Sequence, residues 1–455
     1  MAVAELARRG LILPERLDII VPKVCQALHF EDLRGSVNVG QHVRDAACYV
    51  AWAFARAYAP ETFTPYVEML ATALLAVAVF DREINCRRAA AAAIQEHVGR
   101  QGNFHRGIEL VTLVDYWSLS NRQNAYMVVS SKAAELGDTY RKCMVRNLVE
   151  TKLPHGDLAL RRLASRSLAR LIQPIPEFAE SYVLPSILKR LEPDSRGLQT
   201  SSLDARHGAM YAIAEMVRYD SIPENSRILI RSLVPKLEKQ RMYRGRGGEK
   251  MRVVACRLLQ TVSESSWEFK DTTAGRYRQT VDECLRQCVE EVQIAAVETL
   301  HGLVPRFTAN DLDDCAKFYL DGLSKGDDHA AARRGYVLAL SAFYRKDGAD
   351  GSCCLSDERL KELITRLCAE VRGEIPQTEA QVTETTFYQT NLKTGEREAV
   401  VENVTVNQKQ TEQDALTRQW SLISLTMVFE GLGLVRMEDC GVLDDIVHAL
   451  NVACE

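Results

Sequence analysis

The sequence predicts an all-α fold made of helix pairs stacked on one another. Three observations carry that prediction. A pattern Arg-x-x-Ala-x-x-x-apolar recurs along the chain, the intervening segments read as apolar helices with proper ends, and almost nothing before residue 370 alternates as a strand does. The pattern stands at Arg44/Ala47/Ala51, Arg87/Ala90/Ile94, Arg122/Ala125/Val129, Arg161/Ala164/Leu168, Arg206/Ala209/Ile213 and Arg252/Ala255/Leu259. It continues at Gln293/Ala296/Leu300, with Gln for Arg, and at Arg333/Tyr336/Leu340, with Tyr for Ala. Successive first positions lie 35 to 46 residues apart, around the ~40–47 residues of HEAT and armadillo units. The expected architecture is therefore a HEAT/armadillo-like α-α superhelix, a solenoid, of roughly nine to eleven helical repeats with one polar insertion.

Helix geometry explains the pattern. At about 100° per residue, positions i, i+3 and i+7 fall within ~60° of one another on one face. A small residue at i+3 admits a neighbouring helix, and the apolar residue at i+7 fills the next layer. The arginine stands at the edge of the first turn, where it can pair with a carboxylate of the adjacent unit; Asp45 and Asp204 are suitably placed in sequence. One such pair cannot bury its own apolar face, so neighbours must stack.

The segments between supply the first helix of each pair. "FTPYVEMLATALLAVAV" follows "APET", with Thr62 or Thr64 as a cap and Pro65 early in the helix. "PEFAESYVLPSILKRLEPD" and "ENSRILIRSLVPKLEKQ" carry Pro185 and Pro235 between apolar residues, where a kink is expected. "TANDLDDCAKFYLDGLSKGD" opens on Asn310 or Asp311 and closes on Gly326. Helical repeats thus fill residues 1–371. Residues 372–414, rich in Thr, Gln, Glu and Val, form a polar insertion, either without regular structure or folded as a hairpin. The hairpin would pair "TTFYQTN" with "EREAVVENVTV" around Lys393, Thr394 and Gly395. Helical character returns over 415–455, where Arg418/Ser421/Leu425 approximates the repeat.

Composition narrows the function. Apolar residues make up 46% and charged residues 26%, as in ordinary folded proteins. Lys+Arg of 57 against Asp+Glu of 61 gives a formal charge of −4, without the basic excess of a phosphate-backbone binder; nucleic acid is not an expected partner. The thirteen cysteines are scattered, apart from Cys353-Cys354 and Cys284/Cys288, and form no Cys-x-x-Cys. They read as reduced thiols of a cytosolic protein. The start, "MAVAELARRGLILPERLDII", is too charged for a signal sequence, and the apolar run "MLATALLAVAVF" suits a buried helix rather than a membrane span.

Several stretches invite chemistry. Cys86 and His97 would suit a nucleophile and its base, but eleven residues of helix are about three turns, too far for a hydrogen bond. Cys86 reads as a packed thiol and the run Ala89–Ala93 as small-residue packing. "YRGRGGEK", Tyr243–Lys250, lacks the order of a phosphate loop, with Met251 where a hydroxyl belongs. A short RNA-contacting stretch is a second reading and a glycine-rich turn into the Arg252 helix a third. On that turn Arg241, Tyr243, Arg244 and Arg246 form a candidate protein-docking feature. "GDDH", Gly326–His329, and "DLDD" have neither calcium-loop nor zinc spacing, and the Asn403 sequon bears only on a secreted protein. No catalytic, cofactor-binding or metal-binding residue is assigned, and no enzyme activity is expected.

Three blocks resemble a known family. "VRDAACYVAWAFARAY" (43–58), "VFDREINCRRAAAAAIQEHVGRQGNF" (79–104) and "RMYRGRGGEKMRVVACRLL" (241–259) occur in the order found in the tubulin-folding cofactor D, or tubulin-specific chaperone D, family, as does "ARRGYVLALSAF" (332–343). The resemblance runs from Val24 to Phe343, and from about residue 220 it is to the start of the family's C-terminal region. It implies a cytoplasmic helical-repeat chaperone, associated with microtubules or centrosomes, that binds β-tubulin. The implied partners are the C and E types of tubulin-folding cofactor and a small Arf-like GTPase. The implied activity is assembly and disassembly of the α/β-tubulin heterodimer and stimulation of GTP hydrolysis by tubulin, without a cofactor or catalytic residue of the chain's own. The family's proteins are longer, so the chain looks like their middle and part of their C-terminal region. The alternative is a HEAT-repeat scaffold or transport adaptor for another protein client.

Overall fold

The structure, a computed structural model, describes residues 1–34, 37–193, 200–241, 243, 247–268, 271–324, 330–343, 355–373, 382–390, 397–405 and 415–454. It divides into two compact units, Met1–Trp267 and Glu268–Glu455. Each unit is built of helix pairs, and the arginine-marked residues open the second helix of each pair. In the first unit those second helices are Gln41–Ala57, Ile84–Gln101, the helical run 122–134, Leu158–Ile172, Leu203–Arg218 and Gly248–Glu264. In the second they are Glu290–Leu303, Ala330–Leu340 and Ala415–Asp439. Gln41–Ala57 packs on Ile84–Gln101, and Leu203–Arg218 packs between Leu158–Ile172 and Gly248–Glu264.

The small and apolar positions of the pattern lie where the period puts them. Ala47, Ala90, Ala125, Ala164, Ala209, Ala255 and Ala296 are all buried, and so are Ala51, Ile94, Val129, Leu168, Ile213, Leu259, Leu300 and Leu340. Within the alanine run, Ala90, Ala91 and Ala93 are buried while Ala92 faces solvent. Five like residues in a row are thus sorted by the helical period alone. Two close approaches go further. A Cβ on Gly208 would stand 1.9 Å from the Leu153 carbonyl oxygen, and one on Gly335 2.0 Å from that of Leu285. Each glycine follows its repeat arginine by two positions and lets one helix backbone rest on the end of another.

The arginines tie consecutive pairs together. Arg44 donates Nε and Nη2 to the two carboxylate oxygens of Asp81, at 2.6 and 3.1 Å, and Nη1 to the Phe30 carbonyl. Asp81 therefore takes the place expected of Asp45, which is exposed. Arg87 donates forward to the Leu119 and Ser120 carbonyls and back to those of Asp81 and Arg82. Arg161, 1% exposed, donates to the His155 and Gly156 carbonyls and to Asp204, as expected. Arg122 lies 3.7 Å from Asp157 and is more exposed. In the second unit the Gln293 amide bridges the Leu285 and Ala331 carbonyls, at 2.7 and 2.6 Å, and Arg333 pairs with buried Glu370. Arg206 is half-buried, and Arg252 lies over the Tyr243 ring at 6.0 Å.

Prolines and strands add detail. The residues before Pro185 widen into a π-helical turn, Ala179–Val183, which relieves the ring's clash with the preceding turn; Pro235 lies inside the α-helix Arg227–Lys239. A short antiparallel hairpin, Asp32–Arg34 with Val37–Val39, interrupts the first unit, where only helices were expected. In the second unit Val382–Thr390 pairs antiparallel with Arg397–Thr405, Val382 opposite Thr405. Among the described residues two helices, Pro60–Phe80 and Ala415–Asp439, have the length and apolar composition to cross a membrane, and 61% and 33% of their most apolar stretches is buried within the fold.

Cys86 and His97 are separate core elements. Cys86 is fully buried, its Sγ 3.5 Å from the Gln41 carbonyl, and burial pushes the thiol up to about 12. His97 is fully buried too. Its Nε2 lies 2.9 Å from the Ala51 carbonyl, its ring stacks on Phe104, and burial lowers its pKa to about 4. His97 thus holds the helix Gln41–Ala57 against its own and stays neutral.

Two predictions follow from these charges. Arg44→Ala leaves Asp81 buried without its partner and is expected to cost about 3–5 kcal/mol in urea unfolding, whereas Arg122→Ala at the exposed pair costs under about 1 kcal/mol; equal losses would refute the bridging role. His97 folds with its pKa below the unfolded value of 6.5, so the unfolded chain binds more protons between those values. Stability is full above pH 6.5 and is lost as pH falls toward 4, by up to about 3 kcal/mol for this residue. His97→Gln is expected to flatten that part of the stability–pH profile.

Candidate protein-interaction edge

Among the described residues no group of three or more His, Cys, Asp or Glu is placed to hold a metal ion. One set of features lies on loops. Within each pair the connection from first to second helix carries the chain past the arginine end, and in the first unit the bridges join these connections into a row. Arg44 links residue 30 to residue 81, and Arg87 links residues 81 and 82 to 119 and 120. Glu31, beside the short hairpin, reaches Lys152 at 3.3 Å and His155 at 3.4 Å. His155 Nδ1 accepts the Asp157 amide, which leaves Nε2 as the N–H facing Glu31. Arg161 then carries the row from His155 to Asp204.

One connection in this row displays aromatic side chains. Residues 114–121 read Val-Asp-Tyr-Trp-Ser-Leu-Ser-Asn, and nearly every polar group in the loop is committed. Asp115 Oδ1 accepts the amides of Trp117 and Ser118, at 2.7 and 2.8 Å, and these hold its carboxyl below the usual range. Ser118 Oγ donates to the Leu113 carbonyl and Asn124 Nδ2 to the Ser118 carbonyl. Asn121 caps the following helix through the Asn124 amide. Leu119 is fully buried, and its carbonyl is held by Arg87 at 2.9 Å. What remains outside is Tyr116, 54% exposed, and Trp117, 79% exposed, packed edge to face. The Arg88 guanidinium lies over the Tyr116 ring, 3.6 Å from its centre.

The turn singled out in the sequence is arranged differently. Arg241 is exposed, with a positive φ of 58°. Tyr243 is only 7% exposed, so it supports the turn rather than being displayed on it. The turn is tight here: a Cβ on Gly248 would stand 2.1 Å from the Tyr243 carbonyl oxygen. Arg244 and Arg246 lie outside the described residues, as does the Gly326–His329 stretch. Sequence reading missed Tyr116 and Trp117. The signal was an aromatic dipeptide set among Asp, Ser and Asn, residues that build tight turns, where an apolar pair has no core to enter.

The family model described as "Tubulin-specific chaperone D-like, ARM repeats" matches residues 1–108. Tubulin-specific chaperone D of Dictyostelium discoideum is 35% identical over 270 residues, 58% of this chain and 18% of that protein. Tubulin-folding cofactor D of Schizosaccharomyces pombe is 34% identical over 188 residues, 41% of this chain and 17% of that protein. The matched stretch thus spans less than a fifth of the length of either relative. Yeast importin-β aligns over 98% of this chain and 56% of its own, with 12% identity and a TM-score of 0.46. The chain is a helical-repeat protein of the HEAT/armadillo kind, and over these residues it is similar to tubulin-specific chaperone D.

Proposed function

We propose that the chain is a non-enzymatic scaffold of tubulin folding. It binds β-tubulin, works with the C and E types of tubulin-folding cofactor and a small Arf-like GTPase, and takes part in assembling and disassembling the α/β heterodimer. In that setting it stimulates GTP hydrolysis by tubulin, the nucleotide being the client's. The cytoplasm is its place of action, with microtubules and centrosomes as sites of association. The observation that carries this reading is the 35% identity over 270 residues to a protein named tubulin-specific chaperone D.

The physical means is a broad surface on stacked helix pairs, where many modest contacts hold a client without a deep pocket. A formal charge of −4 gives no long-range attraction for an acidic client, so recognition falls to local basic and aromatic groups. The turn at Arg241, with Arg244 and Arg246 next to it in sequence, is one such group.

Pull-down from cytosol tests the reading. The immobilised chain is expected to retain tubulin above the level held by an unrelated helical-repeat protein, and equal retention would reject it. Replacing Arg241, Arg244 and Arg246 together by Glu is expected to lower retention several-fold with an unchanged circular dichroism spectrum. Unaltered retention would remove that turn from the interface.

A further inference from the structure

We propose that the loop 114–121, with Tyr116 and Trp117 displayed beside Arg88, is a docking site for a protein segment that presents a carboxylate next to an apolar side chain. The occupant is a segment of the client, and in that respect the inference rests on the reading above. Three observations carry it.

The first is unsatisfied charge. Among the described residues no carboxylate lies within ion-pair distance of Arg87 or Arg88: Arg87 donates only to backbone carbonyls, and Arg88 lies on the Tyr116 ring with its Nε buried and unpartnered. Asp115, the loop's own acid, is turned onto the Trp117 and Ser118 amides. Arg87 is buried and spends its donors on four carbonyls, so the charge left for a ligand at this loop is that of Arg88, and an acidic group is its complement. The second is the exposed pair of aromatics, 54% and 79% accessible. Trp, Tyr and Arg are the side chains that dominate binding energy when a partner covers them. The third is preorganisation. The loop is already fixed by Arg87, Asp115, Ser118 and Asn124, so docking orders little that was loose. Aromatic and arginine groups also suit stacked bases, but the net charge of −4 opposes a nucleic acid.

Trp117 reports on its own site. Trp267 and Trp420 are 3% and 4% exposed and Trp52 is half-buried, so emission quenched by iodide comes chiefly from Trp117. The full chain is titrated with purified α/β-tubulin, with a synthetic peptide of Glu residues flanking a Phe, and with the same peptide carrying Gln for Glu. The expected result is that tubulin and the acidic peptide shield Trp117 and shift its emission to the blue, while the Gln peptide binds about tenfold more weakly or worse. Trp117→Ala, at an exposed site that leaves folding intact, is expected to weaken tubulin binding about tenfold, and Arg88→Gln to erase the preference for the acidic peptide. Tubulin binding unchanged by both substitutions overturns the docking site and leaves the chaperone reading standing. Failure of tubulin to bind the unmodified chain overturns the chaperone reading, and the peptide pair then decides the loop alone. Equal response to both peptides, or a stronger response to a single-stranded oligonucleotide at the same salt, overturns the proposal.

Discussion

A donor-rich side chain at the start of a second helix, bridging the loop behind it to the next pair ahead as Arg44, Arg87, Arg161 and Gln293 do, is the interaction on which the stacking depends. A helix pair has an apolar face on both sides and no intrinsic register against its neighbours. Arg44, Arg87 and Arg161 supply that register by holding acceptors on two connections at once. Burying a guanidinium is costly, and acceptors must offset the cost: Arg44 and Arg87 donate from Nε and both Nη groups, while Arg161 gathers three acceptors on Nη1 and leaves Nε unpartnered. That requirement makes the contact specific, because a helix displaced by one turn leaves donors unpaired. Gln293 shows which property matters. With no charge it still spans two carbonyls, so reach and donor count set the register, while charge is needed where the acceptor is a carboxylate such as Asp81, Asp204 or Glu370.

Close approach is the complement of this bridge. The alanine three residues on, and glycine at Gly208 and Gly335, bring neighbouring backbones near enough for the bridge to close. A side chain added at Gly208 meets a carbonyl oxygen that is itself part of a helix end, which cannot move aside as a flexible side chain would. Small residues and long donors are therefore one device: the first sets how near two pairs lie, and the second how they are aligned.

The periodic part of this device was legible in the sequence because a helix converts spacing into direction. Ala90 and Ile94 could be assigned to the core from their offsets to Arg87 alone. Partners across space were less legible. Asp45 adjoins Arg44 in sequence, but one step along a helix turns the side chain by about 100°, and the carboxylate that pairs lies 37 positions on at Asp81. Strands of three residues, as at Asp32–Arg34, are too short to show alternation, whereas the nine-residue strands after Val382 left a trace. Tyr243 read as a displayed aromatic because it stands among arginines and glycines, whereas its side chain is buried. Trp117 went unnoticed for the converse reason. An aromatic in a polar loop carries no periodic signal, and its exposure follows from Leu119 and Arg87 fixing the loop from below.

Fixing from below also joins stability to recognition. Arg87 is a core residue by burial and a loop residue by its bonds, since its Nε and Nη2 hold the Leu119 and Ser120 carbonyls, two and three residues after Trp117. The same guanidinium that aligns two helix pairs therefore sets where the aromatic pair stands. Because those bonds are made before any partner arrives, the ordering that a flexible loop would require on binding is already met in folding. In a repeat array the neighbours of each connection are fixed by such bridges, so a loop can carry exposed aromatic groups without losing its position. That is a physical reason why the proposed docking chemistry can sit on a loop of the arginine edge and still be held as firmly as a side chain on a helix.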